Sequence, residues 1–485
     1  MQFHCGRKDS LKYGILQVLQ GGWLYFDKIG KCRYLCAVKG IRAYFRISAP
    51  SEEKVPAGRV DAEYRRLRSR TFWGATVAYS LYYVCRMTLS VVKQPLIDGG
   101  LMSASELGYV GSAMLIVYAF GKFFNGFIAD YCNVRRFMSV GLGLSAVINL
   151  VMGLFGWMEG RSSMLLFVVF AVLWGINGWA QSMGSPPGVI SLSRWFPLKG
   201  RGMPYSIFSA TPYLGKSLTM ITTGLIVGAA GWQWGFIFAA AAGLAGVVCV
   251  LIFVSDTPES KGLPSVQQLS GEAPSKVDTE PVKALHRRVL MHPGIWVIAL
   301  SSAFIYITQY AISGWGVLFL QKSKQFSLES ATQIIGISEV AGIVGTVAAG
   351  WLSDKIFRGS RVKPVIISGI LAMAALSAFL FTGGGYVLNI LYVGAFSLFI
   401  GTVYCVVAGL MALDFVPRRA TGAALGIVGI SSYVAAGAQD VISGLLIDGG
   451  TSGAVYNFVP VAIFWLSSCL VSFVLPVVGW KTLRK

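Results

Sequence analysis

The sequence predicts an all-α polytopic membrane protein with twelve transmembrane helices in two six-helix halves. Three observations lead there. Hydrophobic residues make up 55% of the 485 and charged residues only 13%, with a mean hydropathy of +0.64, whereas a soluble domain carries about a quarter charged residues. Apolar runs recur with short polar breaks, and many reach the roughly 20 residues that span a bilayer as helix. Lysine and arginine collect in alternate loops, as expected for loops on the cytoplasmic side. The net charge of +20 therefore reads as orientation in a membrane, and nucleic acid is not expected as a partner.

The apolar segments run at about 72–96, 107–129, 137–157, 163–189, 203–228 and 232–254, then 293–320, 331–353, 362–382, 386–413, 421–447 and 455–479. Arg135 and Arg136 separate the second from the third, and Arg194, Lys199 and Arg201 the fourth from the fifth. The polar, Pro-, Ser- and Gly-rich stretch 256–292 has the composition of a solvated connector between the sixth and seventh. Lys355 to Lys363 follow the eighth, Arg418 and Arg419 the tenth, and KTLRK closes the chain. The intervening loops hold few charges, and GGG at 383–385 holds none. Both termini are thus expected in the cytoplasm, with the bundle in the inner (plasma) membrane. The expected organisation is a basic N-terminal segment (1–71), a first six-helix half (72–255), the linker (256–292), a second half (293–480) and a basic tail (481–485). Residues 1–58 are basic with only short apolar runs and lack a signal peptide's plan. They read as a peripheral basic segment or a start codon placed too early, and VDAEYRRLRSRTFWG at 60–74 as the start of the membrane unit.

Eight cysteines are scattered without metal-ligand spacing, four of them (Cys85, Cys249, Cys405 and Cys469) inside apolar runs, and read as small buried residues. The three histidines, His4, His286 and His292, fall outside the spans, so neither metal nor cofactor is expected. There is no Walker sequence, no G-x-S-x-G and no soluble domain with paired carboxylates, and an enzyme is not expected.

A short repeat marks the two halves. GFIADYCNVRRF at 126–137 closes the second segment, and GWLSDKIFRGSRVKP at 350–364 closes the eighth. Matched six-helix halves are the plan of carriers that rock about a central site. With twelve helices, a central linker and this turn in each half, the chain resembles the major facilitator superfamily. The resemblance implies a cytoplasmic gate in which Asp130 pairs with Arg135 or Arg136, and Asp354 with Lys355 or Arg358.

SLYYVCRMTLSVV at 80–92 puts Arg86 inside an apolar run with no other charge between Arg70 and Lys93. A charge at helix centre costs about 2.5–3.5 kcal/mol on insertion scales, so it is paired or faces water. Either the side chain leans toward the outer headgroups, Lys93 being seven residues and roughly 10 Å further along, or it lines a wet cavity. Tyr82, at i−4 on the same face, and Tyr83 add hydroxyls, and the guanidinium fork matches phosphate oxygens.

The surrounding residues carry a closer resemblance. YYVCRMTLSVVKQPL, VYAFGKFFNGFIADYCNVRRF (117–137), GWAQSMGSPP (178–187, with Gln181), SDTPESKGLP and EVAGIVGTVAAGWLSDKIFRGSR (339–361) are similar to stretches of the organophosphate:phosphate antiporters. The likeness covers about residues 60–480. It implies phosphate binding by Arg86, with Tyr83, Tyr118 and Lys122 at the cavity. Two departures stand out. The family's seventh helix reads roughly F-x-Y-x-x-R-Y-x-I-x-D-W, whereas FIYITQYAISGW here puts Gln309 at the second arginine and Gly314 at the aspartate. In the fifth helix Pro212 stands at the family histidine, followed by Tyr213 and Lys216. Lys216 either supplies the missing positive charge or pairs with an acid. Glu339 and Asp440 are the acids within spans. Asp440 is expected to pair with Lys216 or Arg86, leaving a site for a monoanion or zwitterion, or to carry a proton. Tyr306 and Tyr310 are expected to see the cavity with Tyr83, Tyr118 and Gln309. Gly422, Gly426 and Gly429 are expected to let helices approach closely, and Trp179 and Trp315 to pack.

The resemblance implies a monomeric carrier that exchanges a phosphorylated small molecule, of the glycerol-3-phosphate or hexose-phosphate type, for inorganic phosphate. A membrane sensor of external sugar phosphate with a signalling partner is the alternative, as is a proton-coupled carrier of another organic anion.

Overall fold

The computed structural model describes residues 43–158, 160, 162–197, 202–270, 287, 289–351, 356–357, 360–412, 421–452 and 455–483. The chain divides into two units between Arg46 and Ile47. Of the first only 43–46 are described, three of them in a helical turn.

The described residues of the second unit hold twelve long helices. The first six are α1 (Val60–Asp98), α2 (Ala104–Asp130), α3 (Val134–Phe155), α4 (Ser163–Trp195), α5 (Gly202–Ala230) and α6 (Trp232–Phe253). The second six are α7 (Pro293–Lys322), α8 (Leu328–Trp351), α9 (Val362–Phe381), α10 (Tyr386–Met411), α11 (Thr421–Gly449) and α12 (Val459–Leu483). Several starts have a local cause. Ser103 and Glu106 form a capping box at α2, Asn133 caps α3 and Ser162 caps α4, each satisfying donors the helix leaves open. α4 breaks at Met183–Gly184 before Pro186 and Pro187 restart it. α10 widens to a π-helix over Cys405–Met411.

The packing repeats with a period of six. α1 lies against α5 and α6, and α7 against α11 and α12; α2 packs on α4 as α8 does on α10; α3 packs on α6 as α9 does on α12. The halves meet chiefly through α2 on α11 and α5 on α8. A Cβ on Gly178 would run into the backbone of Met114, and one on Gly345 into that of Leu398. These two contacts, α2–α4 and α8–α10, are equivalent in the two halves. Gly178→Val and Gly345→Val are each expected to abolish the monodisperse peak in gel filtration, because backbone cannot yield as a side-chain tip can. Gly426→Ala, whose Cβ would meet nothing within 4 Å, should leave the peak intact.

That open space corrects one expectation. Gly426 and Gly429 of α11 make no close approach; Gly437, against Ile116, and Gly444, against Ala104 and Ser105, do. α1 starts at Val60, twelve residues before the apolar run, within the stretch 60–74 that reads as the start of the membrane unit. Its arginine-rich first turns are helical because they are amphipathic: Leu67 is buried with Trp195 and Leu263, and the Tyr64 hydroxyl donates to the Trp195 carbonyl at 2.7 Å. The residues before it form a strap. The amides of Ser48, Ser51 and Val55 donate to Asp256 (2.8 Å) and to the carbonyls of Glu259 (2.9 Å) and Gly262 (3.0 Å). Asp256 is also bound by the Val134 amide at 2.9 Å and by Arg194 at 2.5 Å.

Among the described residues, ten of these twelve helices are long and apolar enough to cross a membrane. The two that fall short, α1 and α5, carry Arg86, Lys93 and Lys216 within their apolar parts.

Candidate functional site

Tyr83 of α1, Tyr118 of α2, Tyr306 and Tyr310 of α7, Tyr404 of α10 and Tyr433 of α11 converge because each sits on the stripe its helix turns toward the other half. Tyr118 lies 4.6 Å from Tyr433 between ring centres, Tyr306 5.1 Å from Tyr433, and Tyr306 5.7 Å from both Tyr310 and Tyr404. Arg86 stands among them, 4% exposed. Its guanidinium carbon is 4.2 Å from the ring centre of Tyr118, 5.4 Å from that of Tyr83 and 5.5 Å from that of Tyr433. One terminal nitrogen donates to the Tyr310 hydroxyl at 3.1 Å, and Nε has no partner. The guanidinium is thus held in a ring of aromatic faces and does not reach toward Lys93. Tyr82 does not join it; its hydroxyl donates to the Met138 carbonyl at 2.6 Å, inside the first half.

A cavity of about 180 Å³ opens beside this cluster. Tyr83, Lys122, Gln309, Tyr310 and Lys216 line it, with Tyr79, Ser185, Val189, Tyr205, Phe208, Ser209, Pro212, Tyr213, Tyr306, Tyr404 and Tyr433. Arg86 and Tyr118 stand directly behind Tyr83, Tyr310 and Tyr433. The Lys122 ammonium lies 5.0 Å from the Tyr433 ring centre. The described ion pairs include neither Arg86 nor Lys122.

Lys216 is different. Its ammonium sits 2.9 Å from Glu339 of α8, both side chains nearly buried, and 4.9 Å from the Tyr213 ring centre. Gln309 donates to the Tyr213 hydroxyl at 3.3 Å. Among the described residues, three cations and one carboxylate therefore line or adjoin the cavity, leaving two positive charges in a low-dielectric setting where each attracts an anion strongly.

Asp440 pairs with neither Lys216 nor Arg86, which corrects the expectation for it. It lies 3.5 Å from Lys93 and accepts a 2.7 Å hydrogen bond from Trp315 Nε1, further along α1 than Arg86 and away from the cavity lining. Near it the end of the bundle opposite the basic loops is closed. Lys322 pairs with Asp98 at 2.5 Å, and Asp448 accepts from the amides of Ala104 (3.1 Å) and Ser105 (2.6 Å) at the α2 N-terminus, where a carboxylate is favoured. The cavity instead extends toward the basic end, where Tyr205 and Val189 are exposed. Of the expected gate, Arg135 donates to the Leu251 carbonyl, and the Arg136 amide donates to Asn133 at 3.0 Å. The Asp130 side chain, Asp354, Lys355 and Arg358 lie outside the described residues. The sequence alone does not single out Tyr79, Tyr205, Tyr404, Tyr433 or Lys93.

A two-fold, six-plus-six helix bundle with a charged cavity between its halves defines an integral membrane carrier, a class whose work is translocation and not chemistry. The sequence profile of the Major Facilitator Superfamily matches residues 75–439. The chain is 30% identical over 449 residues to a glycerol-3-phosphate transporter of Bacillus subtilis, covering 90% of this chain and 97% of that one. It is 30% identical over 404 residues to a probable hexose phosphate transport protein of Chlamydia muridarum, covering 78% and 84%. In fold it is similar to a bacterial homologue of the human lysosomal transporter Spinster, solved inward-facing and unoccupied, with a TM-score of 0.65 at 18% identity, covering 86% and 95%. The chain belongs to the major facilitator superfamily, in its organophosphate:phosphate antiporter family.

Proposed function

We propose that the protein carries a phosphorylated small molecule, of the glycerol-3-phosphate or hexose-phosphate type, in exchange for inorganic phosphate by alternating access. The observation that carries this reading is the surplus of two positive charges around the cavity, from Arg86, Lys122 and the Lys216–Glu339 pair. A phosphate monoester bears about −1.5 to −2 at pH 7, so the charges match a dianion even though Gln309 stands where the family has a second arginine. Lys216 is matched by Glu339, so the surplus comes from Arg86 and Lys122, and Lys216 adds a donor beside the cavity and no net charge. Asp440 is engaged by Lys93 and Trp315, which removes the ground for a monoanion or zwitterion preference. The tyrosine hydroxyls, Gln309, Ser185 and Ser209 offer donors and acceptors to the organic part. The names of the relatives point the same way. Arg135, Arg136, Asp130, Asp354, Lys355 and Arg358 would serve the gate at the basic end, which we take as cytoplasmic in the inner membrane, with both termini there.

The test is phosphate self-exchange. Liposomes loaded with phosphate and containing the purified protein should take up labelled phosphate saturably, and one of the two esters should compete. No exchange by folded protein that still binds an ester would overturn the carrier reading in favour of a receptor.

A further inference from the structure

We infer that Asp440 is the positioning acid of a latch between the halves, seated from α11 in space that Gly314 of α7 leaves vacant. The geometry is specific. A Cβ on Gly314 would lie 3.5 Å from Asp440 Oδ1 and 4.0 Å from Lys93 Nζ. A carboxylate rooted at 314 would therefore occupy the room that the Asp440 carboxylate fills. On the other side a Cβ on Gly111 would overlap the Asp440 carboxylate, and one on Gly108 the Asp440 backbone carbonyl. Three glycines, two on α2 and one on α7, thus vacate side-chain space around this one acid. At 314 the resemblance places an aspartate in the seventh helix, whereas in this chain the acid that meets Lys93 comes from α11.

The partners explain why such a place would be kept. Lys93 is 2% exposed and Asp440 8%. The Lys93 ammonium lies 3.3 Å from the centre of the Trp315 ring, and Trp315 Nε1 holds Asp440 Oδ1. Lys93 belongs to the first half, Trp315 and Asp440 to the second. The three groups meet only while the end of the bundle opposite the basic loops is closed. Without the acid, closure would bury Lys93 unpaired, which is strongly unfavourable; with it, closure buries a matched pair. Asp440 therefore biases the equilibrium between the two access states and acts on transport through Lys93, without touching the transported anion.

The experiment compares Asp440→Ala with the double variant Gly314→Asp/Asp440→Ala, each checked by gel filtration. A spin-label distance between Gly99→Cys and Ser323→Cys, with the native cysteines replaced, reports closure without any substrate. Asp440→Ala should lengthen that distance and slow phosphate exchange about 5- to 150-fold, the range of two-state couplings. The double variant should bring both back toward the parent values. Trp315→Phe, which removes one hydrogen bond to the acid, should shift the distance the same way by less. The inference fails if Asp440→Ala keeps the parent distance, or if the folded double variant recovers neither quantity; it fails too if Trp315→Phe shifts nothing. Because the distance arm needs no phosphate, failure of the latch and failure of the carrier reading are distinguishable.

Discussion

Arg86→Lys is expected to abolish phosphate binding while leaving the protein folded. The substitution keeps the charge and removes the fork. One guanidinium nitrogen is spent on the Tyr310 hydroxyl and Nε is spent on nothing, so the group holds unused donors in a buried site. Hydrogen bonds to charged groups are worth about 1.5–3 kcal/mol each, and losing a bidentate contact would cost roughly 3 kcal/mol or more, at least ~100-fold in Kd. Arg86→Met goes further and lowers the surplus charge from two to one. Its effect on stability should have the opposite sign, because a buried cation without a described ion pair is removed from a tyrosine cage that can close over methionine. A rise in Tm together with lost binding, followed by calorimetry of phosphate titrations in detergent, would be the signature of a site whose strain is functional. Affinity within about threefold of the parent in Arg86→Lys, a difference of well under 1 kcal/mol, would mean that the anion is held elsewhere.

Glu339→Gln should be the most destabilising conservative change in the cavity wall. It strands Lys216, whose ammonium is 2.9 Å from the Glu339 carboxylate and almost shut off from solvent. Breaking one side of a buried pair costs about 3–5 kcal/mol, whereas replacing both sides by apolar groups is often close to neutral. Lys216→Met/Glu339→Leu should therefore melt well above Glu339→Gln alone, although it removes more polar atoms. Equal melting temperatures for the single and double variants would show that the pair contributes no coupling between α5 and α8. The double variant should still bind phosphate more weakly than the parent if Lys216 presents its charge to the cavity.

The bundle was legible because hydropathy ends where lipid ends. α6 and α9 stop within one residue of their apolar runs, since Val254 and Thr382 leave the helix as the run gives way to polar residues. The start of α1 was not legible from hydropathy, because Arg65, Arg66, Arg68 and Arg70 precede the apolar run; the stretch 60–74 reads as the start of the membrane unit, and the burial of Leu67 against Trp195 and Leu263 is what holds the helix there. At the site, a lone arginine in an apolar run drew attention by its cost, and Lys216 and Glu339 did so for the same reason. Tyr433 and Tyr404 gave no such signal, since tyrosine is common in membrane helices and only convergence in space separates a cavity wall from packing. Lys93 was hidden by its nearness to the helix end, where a lysine ordinarily reaches water. Its pairing with Asp440 spans 347 residues, a distance across which one sequence holds no pairing information, and so the acid was expected beside Lys216 or Arg86.

The two helices too polar to pass as membrane spans, α1 and α5, have a consequence for how the protein is made. Both pack against α6, whose mean hydropathy of 2.7 is the highest of the ten that qualify. Arg86 alone costs about 2.5–3.5 kcal/mol at mid-bilayer for a helix entering on its own. Synthesis releases α1 first and α6 last in this half, so the most polar helix waits the longest for its most apolar neighbour. Stable insertion of α1 and α5 then depends on the neighbours that receive them, whereas the other four helices of the half are apolar enough on their own. How polar the cavity can become is bounded by how much α6 can carry.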